Sequence, residues 1–216
     1  MPSGNDAGTF GLATINCAYC AVGGLFGKPA SEIIQKVYAM MGKGIPSGGE
    51  EDGFGLLSYK VSDTKKSFSQ LSNYEPLERQ IIGMRYFLQK IGASTDLLGT
   101  ARTPLTFPEA QKLMKGKPEG TRFLAVAGDA DMGTFLTTLV HWTVGQVQSG
   151  VPTFYDHQLN VTNSDVWKAI TIKMGNSGIT PPDSAGTKTS TEPLGPLNQE
   201  LDEDDKRCVI IVVNPA

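Results

Sequence analysis

Two cysteines three positions apart, Cys17 and Cys20, sit in the apolar run Ile15-Asn16-Cys17-Ala18-Tyr19-Cys20-Ala21-Val22. The chain's two histidines come late, in His141-Trp142-Thr143-Val144 and in Tyr155-Asp156-His157-Gln158. A thiol, an imidazole and a carboxylate are what a cysteine hydrolase needs. The thiol attacks, the imidazole takes and returns its proton, and the carboxylate orients the imidazole. A cysteine in the first turn of a helix gains thiolate character from the exposed N–H groups and the dipole. Asn16 is a good N-cap type, so a helix over Cys17–Phe26 puts Cys17 in that turn. Cys20 follows one turn later on the same face. Cys17 is the expected nucleophile, with Cys20 as the alternative.

A hairpin decides which histidine to pair with which acid. Ser149-Gly150, between strand-like runs Leu139–Gln148 and Val151–Gln158, reads as a two-residue turn. Gln148 then faces Val151, and counting back sets His141 opposite Gln158. Asp156 becomes the diagonal neighbour of His141 on the same face, about 7–8 Å away. A slip of two residues makes it the direct partner. His157 alternates to the other face. The constellation is therefore Cys17, His141 and Asp156. The backbone N–H of Cys17 is a ready oxyanion donor at a helix start. The second donor is open among Thr14, Asn16 and a backbone group.

The elements around these residues must hold them together. Residues 1–13 read as a flexible lead-in, and 14–216 as one domain with a mobile excursion at about 176–207, where Pro, Gly, Ser, Thr and acids collect. A second helix over Ala30–Met41 carries Ile33, Ile34, Val37, Met40 and Met41 on one face. Gly42–Gly55 reads as a glycine-rich loop, and Phe54–Val61 as a short strand or extended segment. Pro76–Ile91 is a helix with Leu77, Ile81, Met84, Phe87, Leu88 and Ile91 as its stripe. Thr106-x-x-Glu109 is a capping box for a short helix through Met114. Thr121–Ala127 is a strand and Gly128–Gly133 a turn or loop. Asn163 can cap a helix to about Met174. Cys208–Val213 is a strand of buried type that docks the chain's end into the sheet. Helices first and strands last give an α+β class with an antiparallel sheet.

Composition limits the alternatives. The 216 residues are 39% hydrophobic, enough for a real core, and the net charge of −3 from 19 basic and 22 acidic residues does not favour phosphate-backbone binding. Three cysteines are too few for a secreted disulfide scaffold. Neither a Sec-type signal peptide nor an apolar run near the roughly 20 residues of a membrane span is visible. The expectation is a protein without a membrane span, cytoplasmic or exported by a signal-peptide-independent route.

The motifs together resemble the papain-like fold toxin domains of bacterial polymorphic toxins. The resemblance runs over Asn16-Cys17-Ala18-Tyr19-Cys20-Ala21-Val22, Gly27-Lys28-Pro29-Ala30, the His-x-x-Val strand and the Tyr-Asp-x-Gln strand. It covers about residues 14–30 and 138–159 and no others. It implies a papain-like α+β fold, with the nucleophile helix packed on a C-terminal antiparallel sheet. It also implies a cofactor-free Cys-His-Asp hydrolase of amide bonds: a protease, a glutamine deamidase or a cell-wall amidase. By position it gives His141 as base, Asp156 as orienter and Gln158 as a polar group of the site wall, with Asn16 kept as an oxyanion candidate from the residue reading. A secreted toxin or effector of this kind acts on a protein or peptide-like substrate and is held in check by a cognate immunity protein. The chain departs from many papain-like enzymes in lacking a Gln shortly before the cysteines.

Three other readings compete. A structural zinc site on Cys17 and Cys20 needs four ligands, and only Cys208 and His141 could join, without a second closely spaced pair. A redox Cys-x-x-Cys expects a βαβ context that is absent. An inactive papain-like interaction module remains the main alternative to an enzyme.

Overall fold

The structure, a computed structural model, describes residues 17–45, 53–62, 76–131, 134–135, 141–155 and 206–214. Five helices are described: α1 (Cys17–Phe26), α2 (Ala30–Met41), α3 (Gly53–Ser62), α4 (Pro76–Lys90) and α5 (Phe107–Lys115). Seven strands are described: β1 (Ser94–Leu98), β2 (Leu105–Thr106), β3 (Arg122–Asp131), β4 (Thr134–Phe135), β5 (His141–Gln148), β6 (Val151–Tyr155) and β7 (Lys206–Asn214). They form an α+β fold around a sheet of order β1-β7-β3-β5-β6, with β2 also on β7 and β4 on β3. Every described pairing is antiparallel.

The helix ends follow from local chemistry. α1 stops at Gly27, which takes a left-handed φ of 63°. There Lys28 N–H donates to the Gly23 carbonyl and Gly27 N–H to that of Gly24, a Schellman closure that satisfies two orphan carbonyls. Gly92, with φ 93°, ends α4 in the same way. α5 begins with the full capping box: Thr106 accepts from Glu109 N–H, and the Glu109 carboxylate accepts from Thr106 N–H.

The segment Phe54–Val61, read above as strand-like, is instead inside helix α3. Phe54, Leu57 and Ser58 are buried at helical spacing. The Ser58 hydroxyl donates to the Gly55 carbonyl at 2.6 Å, so its burial costs no unpaired group. What fixes the helix is a distant contact. Gly83 of α4 lies so close to the Phe54 carbonyl that any Cβ there would collide with it. Tyr19 stacks on Phe54 at 5.0 Å, and Phe54 meets Phe87 edge-on at 5.8 Å. The Tyr19 hydroxyl also accepts from Gly53 N–H at 2.8 Å. These rings bind α1, α3 and α4 into one layer.

β7 is the spine of the sheet. It pairs β3 along one side and β1 and β2 along the other. Cys208 through Val213 are all buried, which explains a near-continuous apolar run. Each such aliphatic side chain contributes about 1.5–3 kcal/mol through burial. Two boundaries differ from the sequence reading. Gly128–Asp131, expected as a turn, continues β3, because Gly128 and Asp129 pair with Arg207 and Lys206. Those two partners, in turn, belong to β7 and not to the expected excursion at 176–207.

Register sorts the two faces. Thr95, Val213, Arg122 and Gln146 form one row across four strands, and Trp142 shares their parity. α4 grips this face through Arg85, whose Nε donates to Thr95 Oγ1 at 3.0 Å, and through Gln80, which accepts from the Trp142 indole N–H. α1 grips the same face through Arg122, whose guanidinium donates to the Leu25 carbonyl at 2.9 Å. α5 packs against β7 from the other side, with Glu109 near Cys208. No described helix is long and apolar enough to cross a membrane.

Candidate active site

α1 begins on Cys17, and its side chain is half-buried against the core. Cys20, one turn on, is 3% exposed. Three small residues of α1, Ala18, Ala21 and Gly23, are also buried. At Gly23 the Lys28 carbonyl and Ala30 N–H lie where a side chain would go, so α1 and the start of α2 approach closely there, while α1 as a whole packs on the sheet. In the sheet its main neighbour is β5, whose described part starts at His141, with further contact to β3.

The hairpin has the expected turn and register. Ser149 and Gly150 take φ values of 52° and 74°, the pair of positive angles that a two-residue turn matched to strand twist requires. Ser149 is the one described non-glycine residue with such an angle. The Glu119 carboxylate accepts from both turn N–H groups, at 3.0 and 3.3 Å. The pairs run Gln148↔Val151, Val147↔Pro152, Gln146↔Thr153, Gly145↔Phe154 and Val144↔Tyr155. Pro152 is tolerated because β6 ends the strand order and its position is not one that must donate to β5.

Of the expected site residues, Cys17, Cys20 and His141 are described. Asn16, Asp156 and Gln158 lie outside the described residues, as do Thr14, His157 and the helix expected over 163–174. The glycine-rich loop expected over Gly42–Gly55 and the turn or loop expected over Gly128–Gly133 are divided: Gly53–Gly55 open α3 and Gly128–Asp131 belong to β3, whereas 46–52, Met132 and Gly133 lie outside the described residues. Position 141 pairs with Ala127, which in turn pairs with Cys208, so these three form a row. Its parity is that of Thr143 and Val147, whereas Trp142 carries the parity of the face that α1 and α4 cover.

Cys208 is a different kind of thiol. It is 2% exposed in the middle of the sheet. Burial pushes its pKa up to about 12, and the nearby Glu109 carboxylate adds to the rise while Arg207 opposes it. Such a thiol stays protonated and behaves as a small apolar side chain. None of the three cysteines is in a disulfide. Among the described residues, no three His, Cys, Asp or Glu side chains gather as metal ligands. A groove of about 440 Å³ between α4 and β1, walled by Ile82, Arg85, Tyr86 and Thr95 among others, has no thiol or imidazole in its lining. The chemistry-bearing residues lie elsewhere.

Sequence reasoning missed the contacts that hold α1 and β5 in place: Arg122 with Leu25, Gln80 with Trp142, and Glu119 with the turn. A lone Arg at a strand start and a Trp beside His141 were signals of anchoring, but neither named its partner. Comparison with known proteins found no matching family model and no matching curated protein.

Proposed function

We propose that the chain is a cysteine-dependent amide hydrolase of papain-like type, with Cys17 as nucleophile, His141 as base and Asp156 as orienter. The observation that carries this reading is the packing of α1, which begins on Cys17, against β5, whose described part starts at His141. The direction of α1 favours it too. The Arg122–Leu25 bond ties the far end of α1 to the Gln146 end of β5. Ten helical residues extend about 15 Å, and the strand from Gln146 back to His141 about 17 Å. A helix lying along β5 from that tie has its Cys17 end toward His141. The described hairpin register runs from Gln148↔Val151 to Val144↔Tyr155, as the turn demands; Asp156 is taken as the diagonal neighbour of His141 on the count made from the sequence.

In the reaction, the Cys17 sulfur attacks an amide carbonyl while His141 takes the thiol proton. His141 returns that proton to the leaving amine, and water then releases the thioester. Cys17 N–H, at a helix start, is free to donate to the oxyanion. The resemblance to polymorphic toxin domains supplies the rest of the proposal: an effector that cleaves or deamidates protein or peptide-like substrate, countered by an immunity protein.

The parity of position 141 sets a demand. Catalysis requires the imidazole to reach the Cys17 end of α1, although position 141 has the parity of the face opposite the one that α1 covers. That same parity favours one second reading, an inactive papain-like interaction module. The two are separated by growth of expressing bacteria and by ammonia or amine release from a glutamine-rich protein substrate. As a hydrolase, the protein loses about 10³-fold or more of its activity in His141→Ala and in Asp156→Asn, with an unchanged circular dichroism spectrum. Activity retained in His141→Ala sinks the hydrolase.

A further inference from the structure

We propose that Cys17 and Cys20 form a reversible disulfide under peroxide, and that this bond caps the nucleophile of the site proposed above. The two thiols stand at the first and fourth residues of α1 and share a helix face. Their exposures differ in the way such a pair needs. Cys17 is half-buried and packs on the core edge, whereas Cys20 is 3% exposed. A soluble oxidant meets Cys17 first, and Cys20 is placed to resolve the product from within.

Helix geometry permits the bond at this place and resists it elsewhere along the helix. Cβ atoms three residues apart in a regular helix are about 5–6 Å apart, and a disulfide wants about 3.8 Å. Mid-helix, closing that gap breaks backbone hydrogen bonds. Cys17 is the first residue of the described helix, and a first-turn N–H is not tied to a carbonyl four residues back, so that turn can tighten to the three-residue spacing of a 3₁₀ turn. Cys20 and its neighbours stay fixed by burial in the core. A bond closed against such a mismatch is strained, and strained, partly exposed disulfides are the easily reduced ones. Cys208 does not compete, since it lies on β7 and α1 packs on β5 and β3.

The steps balance. The Cys17 thiol reacts with hydrogen peroxide to give a sulfenic acid and one water. The Cys20 thiol then attacks that sulfur, the S–S bond forms, and the hydroxyl leaves as a second water with the Cys20 proton. Two thiols are oxidised and one peroxide is reduced. A small thiol such as dithiothreitol reverses the bond by exchange.

Peptide mapping of the intact protein after hydrogen peroxide tests this. The expected result is a Cys17–Cys20 peptide lighter by two hydrogens, blocked to iodoacetamide, unreactive toward dimedone and restored by dithiothreitol. Cys20→Ala, with its fold checked by circular dichroism, should instead accumulate the dimedone adduct of Cys17 at several-fold the wild-type level. A wild-type protein that accumulates that adduct without the internal disulfide, or that links Cys17 to Cys208 or to a second molecule, overturns the proposal without reference to the variant. The inference rests on Cys17 being the site's reactive thiol, but its readout is sulfur chemistry alone. Loss of the hydrolase reading with the Cys17–Cys20 bond still forming would separate the two.

Discussion

Cys17 and Cys208 are the same side chain in two opposed settings. Cys17 heads a helix, half-buried, on an element that leans on a strand bearing the chain's described histidine. Cys208 lies in the central strand, paired on both flanks and sealed from water. One position offers a half-buried thiol at the end of an element, and the other holds a thiol that does not ionise near neutral pH. Residue type therefore says little here, and the end of an element against its middle says most. The largest test exchanges the two. Cys17→Ala should reduce hydrolysis or toxicity about 10³-fold or more while shifting the urea midpoint little. Cys208→Ala should keep the activity of the folded protein and lose about 1–2 kcal/mol of stability. If Cys208→Ala destroys activity in a folded protein while Cys17→Ala does not, the comparison is inverted and the site lies on the other face of the sheet.

Alkaline pH sharpens the same contrast with a smaller effect. The Cys208 thiol is raised from an ordinary value of 9.0 to about 12 in the folded chain. Between those values the unfolded chain loses this proton and the folded chain keeps it. The unfolded state then binds fewer protons, so stability falls as pH rises. The contribution is fully present below about pH 9 and fades toward about pH 12, at up to about 1.4 kcal/mol per pH unit. Urea unfolding at about pH 8 and about pH 10 measures it. Because lysines and tyrosines titrate as well, the readout is the difference between wild type and Cys208→Ala. Equal slopes in the two proteins would remove the buried-thiol account.

What the sequence disclosed and what it hid divide along the range of the interactions. α1, α2, α4 and α5 could be read because their stripes and caps are local: Gly27 and Gly92 end helices, and Thr106 with Glu109 starts one. The hairpin was legible for the same reason, since Ser149-Gly150 sets its own register. α3 was hidden, because its helix depends on Phe54 meeting Gly83 and Tyr19 from distant parts of the chain. β1 was hidden too. Ser94–Leu98 alternates between exposed and half-buried positions with no apolar face of its own, and it is a strand because β7 supplies the partner. Likewise Gly128-Asp129-Ala130-Asp131 has turn composition but pairs with the start of β7 and with β4. Of the candidate residues, Cys17 and His141 could be picked out by type and by the elements around them. That their segments meet was expected from the chemistry alone, and the contacts that bring α1 onto β5 were not readable, because Arg122 and Leu25, or Gln80 and Trp142, carry no sequence mark of each other.

The smallest effect separates charge from capping at Glu109, an acid whose charge acts on the inert thiol. Its carboxylate closes the α5 box on Thr106 N–H and hydroxyl, and those hydrogen bonds hold its own pKa below the usual carboxylate range. Its charge also helps to raise the Cys208 thiol. Glu109→Gln keeps an acceptor suited to the box but removes the charge. Glu109→Ala removes both and should lower the urea midpoint at neutral pH. In Glu109→Gln the neutral-pH stability should stay near wild type, and the folded thiol should ionise at lower pH. The alkaline loss of stability then levels off sooner, since the folded and unfolded thiols differ less. Burial is the larger cause of the rise, so most of the slope should persist. If Glu109→Gln abolishes the slope, charge and not burial keeps Cys208 inert, and a thiol in the middle of the sheet would be one substitution away from reactivity.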